Sequence, residues 1–127
     1  MSYWGIVVDQ SLKDKNFLQH LNVIANKQIG SWKLLLVSIP DHELEEHIQS
    51  LQHEMIDIKD GCWYAHFFKD NELIVIYQDS SFLVTIDPTS WMETVQYGLA
   101  KGFPMEQLDF SPRTKVDAAT YFGLIDI

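Results

Sequence analysis

A chain of 127 residues with 46% hydrophobic content can bury a core, and it carries no linker-like stretch, so it reads as a single globular domain over residues 1–127. A net charge of −9 opposes nonspecific affinity for a phosphate backbone, and no basic cluster, RNA-binding signature or zinc finger offsets it, so nucleic acid is not an expected partner. No run approaches the roughly 18 apolar residues of a membrane span; the start MSYWGIVVDQ lacks the features of a signal peptide, and the single cysteine, Cys62, allows neither an internal disulfide nor a cysteine-based zinc site. These features predict a cytoplasmic protein with a buried thiol and no membrane contact.

Tyr3 to Val8 read as a first strand, ended by Asp9-Gln10. Ser11 with Asp14 resembles a capping box, and Phe17, Leu18, Leu21, Ile24 and Ala25 recur with helical spacing. The spacing predicts a helix from about Lys13 to Lys27, with Gly30 as its stop. Residues 32–39, WKLLLVSI, are apolar at nearly every position, which predicts a strand inside the sheet, covered on both faces and ended by Pro40. Two strands joined by a helix suggest a βαβ unit. A second helix is expected over Asp41 to Ile56, capped by Asp41, with Leu44, Ile48, Leu51 and Met55 as its apolar stripe.

Cys62 to Ile86 form the densest apolar and aromatic block, and its pattern predicts a three-stranded antiparallel meander. The polar pairs Asp70-Asn71 and Asp79-Ser80 mark two-residue turns. That places His66 opposite Val75, Tyr64 opposite Tyr77, Tyr77 opposite Phe82 and Val75 opposite Val84. Period-two alternation then puts Tyr64, His66, Phe68, Leu73, Val75, Tyr77, Phe82, Val84 and Ile86 on a core face. The other face, with Trp63, Ala65, Phe67, Lys69, Glu72, Ile74, Ile76, Gln78, Leu83 and Thr85, is mixed and suited to partial cover or association. Asp87-Pro88 and the Ser90–Glu93 pair open a third helix, with Trp91, Val95 and Leu99 toward the sheet and Gly102 as its cap. Residues 104–108 suggest a further turn, 114–122 are helix-compatible, and 124–127 suit an edge strand or a tail.

The fold class expected from this order, β-α-β-α-β-β-β-α, is an α+β two-layer sandwich. Its mixed sheet has about five strands, including the meander over 62–86, with helices mainly on one face.

The chemistry is sparse. HELEEH, His42 to His47, imitates a zinc-protease helix, but its histidines are five residues apart and so about 140° apart around a helix. The spacing suits i,i+4 pairing on an exposed face, so no metal site is assigned. Nucleophile, phosphate-loop and dinucleotide motifs are absent, so no catalytic residue and no cofactor are assigned. His66 stands out because it lies mid-strand on the core face, where burial disfavours its charged form and demands a hydrogen-bond partner. His66, Tyr64 and Tyr77 are therefore the candidate ligand-binding residues. Residues 41–60 hold seven acids against one lysine, a net of −6, which is either a solvated helix face or a surface for a basic partner.

The runs WYAHFFKDNELIVIYQD and SWMETVQYGLAKGFPMEQLDF resemble small uncharacterised prokaryotic proteins of the structural-genomics type, over about residues 32–112. The resemblance implies a compact cytoplasmic domain and brings no activity, cofactor or catalytic residue. The function expected from the sequence is a noncatalytic binding or assembly domain, either a homodimer or a binder of a basic protein partner. The alternative is a small-molecule-binding domain or minor enzyme with its pocket around His66.

Overall fold

The computed structural model describes residues 2–12, 22–30, 32–55, 64–85, 87–103 and 115–123. Among these residues six strands form one sheet: β1 (Ser2–Val8), β2 (Asn22–Ile29), β3 (Trp32–Pro40), β4 (Tyr64–Lys69), β5 (Glu72–Tyr77) and β6 (Ser80–Thr85), in the order β2-β3-β1-β4-β5-β6. Among the described residues three helices complete an α+β sandwich: α1 (Leu44–Glu54), α2 (Met92–Ala100) and α3 (Lys115–Tyr121).

Every strand pair is antiparallel, so the sheet is not mixed and has six strands where about five were expected. The difference arises at residues 22–29, which form β2 where a helix was expected to run to Lys27; residues 13–21 of that expected helix lie outside the described residues. β2 pairs with β3 from Asn22↔Ser38 to Ile29↔Trp32. Gly30 does not stop a helix but takes φ +58° in the connecting turn, the left-handed region that suits glycine. β1 lies on the other side of β3, from Ser2↔Pro40 to Val8↔Leu34, so an antiparallel pair replaces the suggested βαβ unit.

The meander forms as its pattern predicts. Asp70 adopts φ 54° in the first turn, and Tyr64↔Tyr77, His66↔Val75 and Phe68↔Leu73 hold in the register expected. In the second hairpin the turn is Gln78-Asp79, one residue earlier, so Tyr77 faces Ser80 and Val75 faces Phe82. The pairing therefore slips by two residues. A two-residue slip preserves the period-two faces, so the division into faces survives it.

Both faces are core. On one, Val7, Val37, Ile39, Phe67, Ile74 and Ile76 pack with Leu51 and Met55, and Leu44 and Ile48 complete the α1 stripe as expected. On the other, Leu36, Phe68, Leu73, Val75 and Tyr77 pack with Trp91, Phe103 and Ala118, below α2 and α3. Two of the three described helices thus share a face, while α1 covers the face expected to be mixed. Gly5 is what lets β1 lie flat there. A Cβ on Gly5 would stand 2.1 Å from a ring carbon of Phe67, its partner across the β1–β4 pair, so the aromatic ring occupies the space of the missing side chain.

The approach to α2 uses Asp87, whose Oδ1 accepts from the Thr89 N–H at 3.0 Å, with Pro88 at the first position of a short 3-10 turn. Ser90, expected as the cap, instead donates to the Asp87 carbonyl at 2.7 Å. Trp91 and Val95 face the sheet, but Leu99 is exposed, and Thr94 and Gly98 take the buried positions. Gly102, at φ +94°, ends the helix as expected, and Phe103 N–H returns to the Gly98 carbonyl at 3.0 Å.

Candidate functional site

His66, Tyr64 and Tyr77 do share one face, as their register requires. The ring centroids of Tyr64 lie 6.4 Å from His66 and 6.3 Å from Tyr77, and His66 lies 6.1 Å from Phe68. Their environments differ. His66 and Tyr64 are half-buried, whereas Tyr77 is fully enclosed. Its hydroxyl donates to the Thr94 carbonyl of α2 at 2.8 Å, and the rings of Phe82, Tyr97 and Phe103 surround it within 6.0 Å. Burial pushes its phenol far above the ordinary range. Tyr77 therefore anchors α2 to the sheet, and its hydroxyl is already committed. Asp87, at the end of the meander, is exposed and occupied in capping.

A second aromatic group closes the β5–β6 turn. Tyr97 donates to Asp79 Oδ1 in a short hydrogen bond, and Lys101 Nζ lies 3.5 Å from Asp79 Oδ2. Burial first, and the Asp79 carboxylate second, push the Tyr97 phenol up to about 12. Asp79 is thereby held in the turn by Tyr97 of α2 and by Lys101 just after that helix.

The third polar group joins the 3-10 turn before α1 to the sheet. Asp41 does not cap the helix. Its Oδ2 accepts from Lys69 Nζ at 2.6 Å, which holds its carboxyl below the usual range and raises the ammonium. Beside it Tyr3 donates to Glu72 Oε2 at 2.9 Å, with Lys69 Nζ 5.1 Å from the Tyr3 ring. Burial first and Glu72 second raise the Tyr3 phenol.

The outward side of α1 and the turn before it carry part of the acidic stretch. An open groove of about 680 Å³ is lined there by Glu43, Glu46, Glu54, His47 and His53, with Gln49 and Ser50 between them. His47 Nδ1 donates to the Glu43 carbonyl at 2.9 Å, and His42 lies in the 3-10 turn before the helix, 3.5 Å from Glu43. Among the described residues, no three His, Cys, Asp or Glu side chains are placed to hold a metal, and no helix is long and apolar enough to cross a membrane.

The two edges of the sheet are unlike. β2 carries Asn22, Asn26 and Lys27, and a register shift between Val23 and Ala25 bends it. Charges and bulges of this kind guard an edge against pairing with another chain. Lys27 is also tied down, donating to the Tyr121 carbonyl at 3.1 Å with its ammonium 4.0 Å from that ring's centre. β6 reads SSFLVT, with no charge, no proline and an unbroken register against β5. Leu83, on the α1 side, is 66% exposed. Sequence reasoning placed Leu83 on a face suited to association but did not single out the strand. The available signal was an uncharged last strand in an otherwise strongly acidic chain. Comparison with protein-family models, with curated proteins and with solved structures finds no match to this chain.

Proposed function

We propose that this protein is a noncatalytic binding and assembly domain of the cytoplasm, which self-associates as a homodimer and offers the acidic side of α1 to a basic protein partner. The observation that carries this reading is the contrast between a guarded edge at β2 and an unguarded, uncharged edge at β6. A chain of net charge −9 repels its own copies, so an uncharged strand is where two of them meet at least cost. Among the described residues, four polar side chains near the sheet are engaged in building the fold: Tyr77 with Thr94, Tyr97 with Asp79, Tyr3 with Glu72 and Lys69 with Asp41. The carboxylates along α1 supply a field that steers a basic surface and weakens with added salt. Sedimentation equilibrium tests the reading. The expected result is a mass that rises to twice that of the chain with concentration. A mass that stays at one chain up to about 1 mM contradicts it.

A further inference from the structure

We propose that two copies join by antiparallel pairing of β6 with the partner's β6, about a two-fold axis at Phe82, so that one sheet runs through both. The proposal rests on the self-association reading and specifies its interface.

Tyr77 and Ser80 flank a two-residue turn and are a directly bonded pair. Bonded and non-bonded pairs alternate along an antiparallel ladder, so Phe82–Val75 and Val84–Leu73 are also bonded. Ser81, Leu83 and Thr85 therefore turn their N–H and C=O groups away from β5. Those of Thr85 are occupied within the chain: its N–H donates to Ser90 Oγ at 3.1 Å, and its carbonyl accepts from Trp91 Nε1 at 2.9 Å. Ser81 and Leu83 are exposed, and no hydrogen bond among the described residues reaches their outward groups. The open edge is thus two donors and two acceptors long.

A two-fold axis perpendicular to the sheet pairs residues that share a face, so the axis must pass through a residue. With the axis at Phe82, Ser81 meets the partner's Leu83 and Leu83 meets the partner's Ser81. Four N–H···O bonds form and use every open group, while Thr85 keeps its own partners. With the axis at Leu83, only two such bonds form, and Ser81 meets the capped Thr85. The hydrogen-bond inventory therefore selects Phe82.

The side chains agree with this register. Phe82 lies directly opposite the partner's Phe82 in a closely spaced pair, with Cα atoms about 4.5 Å apart. On the α1 side Leu83 lies opposite a serine, which leaves room for diagonal contact with the partner's Leu83. No charge lies in Ser80–Thr85, and the nearest one, Asp79, is held by Tyr97 and Lys101.

The test combines mass with cross-linking, in a Cys62→Ser background so that added thiols are alone. Leu83→Lys places an edge-guarding charge on an exposed position and is expected to weaken dimerisation about a hundredfold, with an unchanged circular dichroism spectrum. Ser81→Cys and Leu83→Cys proteins, mixed under mild oxidation, are expected to form a disulfide between the two variants in preference to either alone. Disulfide formed by Leu83→Cys alone, and not by the mixture, overturns the Phe82 axis. A wild-type dimer that ignores Leu83→Lys and yields none of these disulfides overturns the interface while leaving self-association standing. A wild-type monomer at about 1 mM overturns both and leaves the edge to a strand from another protein.

Discussion

Gly5 has no conformational reason to be glycine. What excludes a side chain is the Phe67 ring packed over it, and Phe67 is itself 1% exposed with little room to move. Gly5→Ala is expected to cost about 3 kcal/mol, at the upper end of the range for overpacking a tight core, measured by urea unfolding. Combined with Phe67→Ala the penalty of Gly5→Ala is expected to vanish, since the clash goes with the ring; strict additivity would contradict this account. Thr94 makes the opposite case. Its hydroxyl is buried at 0% exposure and has no hydrogen-bond partner among the described residues, while its carbonyl receives Tyr77. Thr94→Val removes an unsatisfied polar group and keeps the shape, so stability is expected to stay level or rise by up to about 1 kcal/mol, read from the same unfolding curves. Neither effect is legible in the sequence, because both depend on what another element lays against the residue. The sequence did mark Tyr77 as a residue of consequence, from its register beside His66. It could not show that the hydroxyl was already spent on α2.

The elements are joined by ionisable contacts whose direction with pH follows from their shifts. Asp41 and Asp87 have carboxyls held below the ordinary 3.8, the first by Lys69 and the second by the Thr89 N–H. A group lowered in the folded state contributes stability above its ordinary value and loses it as pH falls through the folded value. Lys69, Tyr3 and Tyr97 are raised, Tyr97 to about 12. Their contribution is present below about pH 10 and is lost as pH rises beyond it. The melting temperature is therefore expected to fall below about pH 4 and above about pH 10. Lys69→Met should make the acid limb shallower by releasing Asp41, whereas parallel curves would remove that contact from the explanation. At this scale the sequence was most informative where period and turn chemistry agree, as in the α1 stripe and the first hairpin. It failed at β2. Residues 22–29, NVIANKQI, are poor strand formers, and Ile24 and Ala25 extend a helical spacing begun at Phe17. Pairing with β3 overrides that preference. The Gly30-Ser31 pair between Ile29 and Trp32 was the available hairpin signal.

The whole molecule has a sheet covered from both sides and two edges treated differently. The α+β class was legible because the meander and the helix stripes each carry a clear period. Strand order was not, since it depends on pairings between segments far apart in the chain, such as β1 with β4. The acidic stretch was visible as charge, and the fold adds that Glu43, Glu46 and Glu54 of it line one open groove beside α1. The unguarded edge became visible only once β6 was known to be the last strand. The most direct measurement is amide hydrogen exchange at three consecutive residues, followed against protein concentration. Phe82 N–H points into the sheet and should exchange slowly under all conditions. For a sheet continued through a second copy, Ser81 and Leu83 are expected to exchange as slowly as Phe82 in concentrated solution and to become fast on dilution. Fast exchange at Ser81 and Leu83 beside a slow Phe82, at every concentration, would contradict the account.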